Sequence, residues 1–364
     1  MAHVAAFTDS YLPTLNGVTY TVQTWSEWWG KRGSRMDVVY PNSSHDADTG
    51  EYPVPSIPFP FYEGFRVGVP KIPAGVGGAD LVHAHTPFSL GLAGLRFARR
   101  ENLPFVASYH TPTAEYAEYV VPGALTGPVR KASERWERWF FERADAVVAP
   151  SEVTASTLRE RVGTDVRVEV VPNGVDTERF RPVETDVFRE RHDLPDGPLV
   201  GYTGRHGYEK RLDVLVDAAA GLDATVVFGG DGPAREELEK QATESDADVR
   251  FLGMLDRDEL PAFYASLSAF AFPSPVETQG LVALESMACG TPVVGADAGA
   301  LAGTVTEGET GYHFPTGDAG ALREAIRRTL AERERLRENC LARRDALSVE
   351  GALDELEAVY ESVR

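Results

Sequence analysis

Short apolar runs recur along this chain, each closed by turn residues and followed by a longer stretch with apolar positions three or four apart. HVAAF, His3 to Phe7, reads as a buried strand. A loop with Pro13, Asn16 and Gly17 follows, and the spacing of VTYTVQTWSEWWGKRG predicts a helix. MDVVYP is the next strand, and ADLVHAHTP, PFVASYHTP and ADAVVAPSE each read as an apolar strand ending in a turn. VRVEVVPNGVD closes the first half. The rhythm restarts at GPLVGYTGRHGYEKRLDVLVDAAAGL and continues through ATVVFGGDGPAREELEKQA, VRFLGML, AFAFPSP, one more helix and PVVGA.

Apolar strands alternating with helices imply a parallel sheet covered on both faces. The predicted fold class is therefore α/β, with two Rossmann-like, doubly wound domains facing a central cleft. The polar, Pro- and Gly-broken segment between Pro172 and Asp186 marks the joint. This divides the chain into an N-terminal domain over 1–180 and a C-terminal domain over 181–349. The closing segment EGALDELEAVYESVR, 350–364, reads as an amphipathic helix that rejoins the first domain. In such sheets ligands bind beyond the carboxyl ends of the strands, which is where the unusual residues of this chain fall.

With 364 residues, 43% of them hydrophobic, the chain can build two cores. No apolar run reaches membrane-spanning length, and the N-terminus lacks a charged segment leading into an apolar stretch. The expectation is a cytoplasmic protein. Two cysteines, Cys289 and Cys340, give neither a disulfide framework nor metal-ligand spacing. The formal net charge of -20 disfavours a nucleic-acid binder, whose footprint is basic. With 5 lysines against 31 arginines, the acidity fits a salt-loving source, although GC-rich coding gives the same arginine bias.

The densest chemistry lies in PSPVETQGLVALESMACGTPVVG, Pro273 to Gly295. If AFAFPSP is a strand and its exit, a helix starts near Thr278, and the backbone N–H groups of Thr278, Gln279, Gly280 and Leu281 form an anion site. Gly280 allows close backbone approach. Glu285 falls on one helical face with Thr278, Leu281 and Val282 and leans toward the helix start. A carboxylate there suits two vicinal hydroxyls, such as a ribose beside a phosphate, while Glu277 sits where a sugar beyond the phosphates would lie. Taken alone, Glu277 reads equally well as a helix cap and Glu285 as a surface charge. Arg205 and Lys210 follow the strand LVGYTG and can neutralise a diphosphate. Gly17, between the first strand and the first helix, permits close approach of phosphate or sugar; a plain turn glycine would look the same. His83 and His85 in HAH read as structural, with a donor or acceptor contact as the alternative, since no third metal ligand accompanies them. GGDGPAR has Arg235 where the last glycine of a dinucleotide fingerprint belongs, which disfavours hydride chemistry.

These segments together resemble the retaining family-4 glycosyltransferases (glycosyltransferase group 1) of the GT-B fold. PSPVETQGLVALESMACGTPVVG resembles the family's segment with two glutamates eight residues apart. FTDSYLPTLNGVTYTVQ resembles its N-terminal loop, VPNGVDTERFRP its interdomain segment and GRHGYEKRLDVLVDA its phosphate clamp. The resemblance covers nearly the whole chain. It implies transfer of a hexosyl group from a nucleotide-sugar to a hydroxyl acceptor, with retention of configuration, no essential metal and no cofactor beyond the sugar nucleotide as substrate. It further implies His110, Arg205, Lys210 and Glu277 as catalytic residues. Gly17, Thr278, Gln279, Gly280, Leu281 and Glu285 become donor-binding residues.

ETQG in place of the commoner ETFG resembles members acting on lipid or lipid-linked acceptors. The aromatic stretch PSIPFPFYEGFRVGVPK, with Phe59, Phe61, Tyr62 and Phe65, and the basic face of Arg96, Arg99 and Arg100 fit peripheral contact with the inner face of a membrane. A buried loop and a dipole-favoured helix end are the alternative reading. The rival functions are a soluble synthase acting on a sugar, sugar phosphate or polysaccharide, a sugar-nucleotide epimerase, and a non-catalytic sugar-nucleotide-binding module.

Overall fold

A computed structural model describes residues 2–59, 65–110, 123–162 and 166–364. It divides into two compact units, one of Met1–Gly174 with Val349–Arg364 and the other of Val175–Ser348.

In the first unit the apolar runs form β1 (His3–Phe7), β2 (Arg35–Pro41), β3 (Glu51–Val54), β6 (Leu81–Ala84), β7 (Phe105–Ser108), β8 (Ala146–Ala149) and β9 (Val168–Val170). Between β3 and β6 lie β4 (Ser56–Pro58) and β5 (Arg66–Gly68), which pair antiparallel with each other. The stretch read from sequence as an aromatic loop therefore carries a small two-stranded ribbon. The other seven strands make one parallel sheet in the order β3-β2-β1-β6-β7-β8-β9. Side chains alternate across it: Ala5 and Phe7 enter one core, Val4 and Ala6 the other. That is why these strands read as continuous apolar runs.

The core on the Val4 face is filled by α1 (Gly17–Lys31) and by the C-terminal helix Val349–Val363. Asn16 caps α1 by accepting the Thr19 N–H at 2.9 Å. Val22, Trp25 and Trp29, at helical spacing, turn fully inward. The C-terminal helix supplies Leu353, Leu356 and Tyr360, and the Tyr360 ring stands edge-on to Trp29 at 5.4 Å. Arg32 ties the two helices at the surface through Asp354 at 2.8 Å. On the opposite face α2 (Ser89–Glu101), α3 (Gly123–Phe141) and α4 (Glu152–Val162) follow in chain order.

The second unit holds β10 (Leu199–Thr203), β11 (Thr225–Gly229), β12 (Val249–Gly253), β13 (Ala269–Phe272), β14 (Val293–Ala296) and β15 (Gly311–Phe314). They form a parallel sheet in the order β12-β11-β10-β13-β14-β15. The strand order reverses between β10 and β13, the switch point of a doubly wound sheet. The boundary expected after residue 180 falls instead between Gly174 and Val175. Val175 bridges to Ser348 and its N–H donates to Leu347 O at 2.8 Å, while Phe180 is buried in the second unit's core. Packing, more than chain polarity, decides the joint.

All five tryptophans, Trp25, Trp28, Trp29, Trp136 and Trp139, lie in the first unit, so their fluorescence reports on it alone. Leu356→Ala empties a fully buried site at the C-terminal helix and should cost about 2–5 kcal/mol. The expected result is an earlier urea midpoint by tryptophan fluorescence; an unmoved midpoint would show that the helix is not part of this cooperative unit.

Candidate active site

At the switch point of the second unit two loops leave neighbouring strands. After β10 the chain turns at Gly204, where φ is +137°, presents Arg205, and makes a short 3-10 turn over Tyr208–Lys210. After β13 it runs from Pro273 to Gly280 and enters α9, Leu281–Ala288. (The intervening helices, α5 to α8, are Asp186–Arg191, Leu212–Ala219, Arg235–Thr243 and Leu260–Ser266.) The Lys210 ammonium donates to Glu277 Oε1 at 2.5 Å, tying the loops together, with both side chains largely shielded from water. Arg205 pairs with Glu209 Oε1 at 3.1 Å. Each predicted cation thus has a carboxylate beside it, and Glu209 is a participant that sequence reading passed over, although its i, i+4 spacing from Arg205 was visible.

The helix expected from Thr278 begins at Leu281. Gly280, at φ +79°, caps it in the left-handed region, so Thr278 and Gln279 belong to the loop. A Cβ on Gly280 would also stand 2.9 Å from Leu301. The glycine is required by the fold at this turn, whatever ligand approaches it. The first helical N–H groups are those of Leu281 and Val282, because Ala283 N–H already donates to Gly280 O at 2.9 Å. Glu285, one turn on, is not a surface charge. It is 3% exposed and accepts the Tyr264 hydroxyl at 2.8 Å. Burial pushes its carboxyl up to about 7, against the opposing pull of Arg257 and the tyrosine hydrogen bond.

The GGDG turn serves the same loop. A Cβ on Gly230 would lie 2.0 Å from Gly204 O, and one on Gly232 2.7 Å from His206 O. His206 N–H donates to Asp231 O at 2.8 Å, and Ala234 N–H to His206 O at 2.9 Å. These glycines let one backbone lie against another and brace the loop that carries Arg205.

In the first unit the strand ends gather histidines. His110 lies two residues beyond β7, half-buried, and its Nε2 is 3.1 Å from Nδ1 of the buried His85. His83 stacks on His85 with ring centres 4.2 Å apart and is held by Ser108 Oγ at 2.8 Å and Tyr360 Oη at 2.6 Å. Burial lowers His83 to about 3 and His110 to about 4, so both rings are neutral near pH 7. No group of three or more metal-binding side chains is poised to hold an ion among the described residues. Asp9, another residue missed from sequence, accepts the Thr86 hydroxyl at 2.7 Å and the Leu90 N–H at 3.0 Å, capping α2. Burial raises its carboxyl to about 6. Gly17 is the first residue of α1, and a Cβ there would meet nothing within 4 Å. Its own fold does not demand glycine. Of the aromatic stretch, Phe61 and Tyr62 lie outside the described residues.

Residues 15–179 match the family model Glycosyltransferase Family 4, and residues 184–343 match Glycosyl transferases group 1. A GDP-mannose-dependent alpha-mannosyltransferase of Mycobacterium tuberculosis is 33% identical over 99% of this chain and 97% of its own length. An alpha-monoglucosyldiacylglycerol synthase of Streptococcus pneumoniae is 29% identical over 89% of this chain and 78% of its own. Among solved structures, sucrose-phosphate synthase from Thermosynechococcus elongatus superposes with a TM-score of 0.81, at 24% identity over 99% of this chain and 98% of that one. Two doubly wound units, each matched by its own glycosyltransferase family model, and a mannosyltransferase relative alike over nearly the whole chain place this chain among the group 1 glycosyltransferases of the GT-B fold.

Proposed function

We propose that this glycosyltransferase moves a hexosyl group from a nucleotide-sugar to a hydroxyl of a membrane lipid or lipid-linked glycan, with retention of configuration and without an essential metal. The observation that carries the donor reading is the 2.5 Å pair of Lys210 and Glu277 at the switch point, with Arg205 on the same loop as Lys210. A bound diphosphate would draw both cations from their carboxylate partners and neutralise its growing charge as the sugar leaves. Glu285 would accept ribose hydroxyls, and the start of α9 would face a phosphate. The bond from the anomeric carbon to the diphosphate breaks, and the acceptor oxygen bonds to the same face. The departing diphosphate takes the acceptor's proton, so no carboxylate pair is needed as nucleophile and acid. The family resemblance adds His110 of the first unit as a residue of the reaction.

The acceptor reading rests on the first unit and on the diacylglycerol named in one relative. Phe59, Phe65 and Phe88 meet edge to face at 5.9 and 6.1 Å. Beside them Trp136 donates to Pro87 O at 2.7 Å and stacks on Trp139. Phe59, Phe88 and Trp139 keep over a third of their surface exposed. Arg96, Arg99 and Arg100 of α2 are exposed as well. Exposed aromatic rings and arginines on one unit suit the interfacial zone of an anionic bilayer, although the net charge of -20 opposes approach, so contact must be local and oriented. No described helix is long and apolar enough to cross a membrane.

Replacing both Arg205 and Lys210 by alanine should lower turnover at least about a hundredfold while changing donor KM far less. Near-normal turnover of that variant in a radiolabelled-sugar transfer assay contradicts the clamp.

The folded protein holds the Glu285 proton more tightly than the unfolded chain, since its pKa is raised from 4.5 to about 7. Its contribution to stability is therefore present below 4.5 and is lost as the pH rises through about 7. Ribose hydroxyls favour the ionised form, so nucleotide binding should strengthen from about pH 6 to 8 and release a proton. Calorimetry with UDP and GDP in buffers of different ionisation enthalpy reads this. Glu285→Gln should weaken binding and flatten the profile, and an unchanged profile would remove Glu285 from the donor site.

Wild-type protein should float with anionic liposomes, and a Phe59→Ser/Phe88→Ser variant should not. Failure of the wild type to float, together with efficient glycosylation of a soluble sugar or sugar phosphate, would replace the lipid acceptor with a soluble one.

A further inference from the structure

His110 and His85 face one another edge to edge. Their rings are inclined by only 7°, with centres 5.4 Å apart and the nearest nitrogens at 3.1 Å. A ring nitrogen lies just over an ångström from its ring centre. The centre separation is therefore nearly the N···N distance plus one ring radius at each end. The two nitrogens point straight at each other, the arrangement of a linear N–H···N bond between almost coplanar rings. One of the two nitrogens carries a proton and the other a lone pair.

The far side of His85 favours one of the two arrangements. Its Nε2 is buried and meets no hydrogen-bond partner among the described residues. A neutral imidazole has one N–H. Put on Nε2, that N–H would be an orphan donor in the interior, and the facing Nδ1 would serve only as acceptor. Put on Nδ1, it donates to His110, and the orphan is a lone pair. Buried orphan N–H groups are the rarer and costlier of the two. Turning the ring over would set Cδ2 in place of Nδ1 and lose the bond. The ring is also pinned, with His83 stacked at 4.2 Å and the buried Trp25 edge-on at 5.8 Å. Trp25 is in turn fixed by its Nε1–H, which donates to Asn173 O at 2.7 Å.

We infer that His85 sets the tautomer of His110: it donates from Nδ1 to His110 Nε2, so that His110 enters the reaction as a neutral ring with its proton on Nδ1. With Nε2 accepting from His85 and Nδ1 protonated, His110 has no lone pair left with which to remove the acceptor's proton. His85 is a positioning residue, and the support continues through His83 to Tyr360 of the C-terminal helix. Burial of both rings agrees with their remaining uncharged. The inference rests on the reading of His110 as a residue of the reaction site.

The test is a long-range proton–nitrogen correlation spectrum of the full-length protein labelled with 15N-histidine, at neutral pH, with His110 assigned by its loss in His110→Asn. The expected signals are those of a neutral ring protonated on Nδ1. A His110 protonated on Nε2, or on both nitrogens, overturns the inference from the wild type alone, whatever the variants do. His85→Asn places an amide N–H near the position of Nδ1 and should keep both the tautomer and turnover. His85→Leu should lose the tautomer and lower kcat about tenfold, the scale of one hydrogen bond, with little change in donor KM. Equal kcat for His85→Leu and wild type overturns the positioning role. Wild-type turnover of His110→Asn beside the expected spectrum would instead overturn the placing of His110 at the reaction site.

Discussion

Where strand order reverses in a parallel sheet, the loops leaving two neighbouring strands run to opposite sides, and the strand ends between them are left uncovered. In the second unit this happens between β10 and β13, and every chemically distinctive residue of that unit follows from it. The loop after β10 brings Arg205 and Lys210; the loop after β13 brings Glu277 and leads into the helix of Glu285. The Lys210–Glu277 pair joins the two loops at 2.5 Å. The GGDG turn after β11 braces the first of them, because only glycines allow the two backbones to approach so closely. The first unit repeats the constraint between β1 and β6, where Asp9 from one strand end accepts the Thr86 hydroxyl from the other.

Burial then sorts the ionisable groups. Desolvation disfavours whichever form carries charge. It raises Glu285 and Asp9 and lowers His83 and His110. The lysine and arginines near the strand ends meet carboxylates instead. A diphosphate arriving there would exchange one anion for another and need not bury an uncompensated charge, a milder demand than charging an apolar site. The histidines, by contrast, are kept as neutral hydrogen-bonding groups, and their orientation comes from packing against Trp25 and from hydroxyls of Ser108 and Tyr360. A residue near the chain's end thus helps fix rings borne by strands from its first third.

Sequence alone determined the class of fold. Alternating apolar runs and helical spacings can satisfy only a parallel sheet with two covered faces, and the strands quoted from HVAAF to PVVGA all fall in the two sheets. It also marked the segments with chemistry, because a cation pair after one strand and two glutamates after another are local patterns. What it missed were short elements whose few residues are interrupted by polar side chains, proline or glycine: β3, the β4–β5 ribbon and β15.

Tertiary structure decided the rest, for reasons that local pattern does not contain. Gly280 takes a left-handed conformation and moves the helix start from Thr278 to Leu281. Leu347 and Ser348 capture Val175 and move the unit boundary from 180 to 174. Glu285 reads in sequence as a ribose-binding carboxylate or, alternatively, a surface charge; its burial against Tyr264 depends on how α8 and α9 lie together. His83, His85 and His110 come from two strand ends that are adjacent only because β6 pairs with β7. Residue types and spacing are properties of the chain, whereas burial, facing nitrogens and competing carboxylates are properties of neighbours brought together from distant positions.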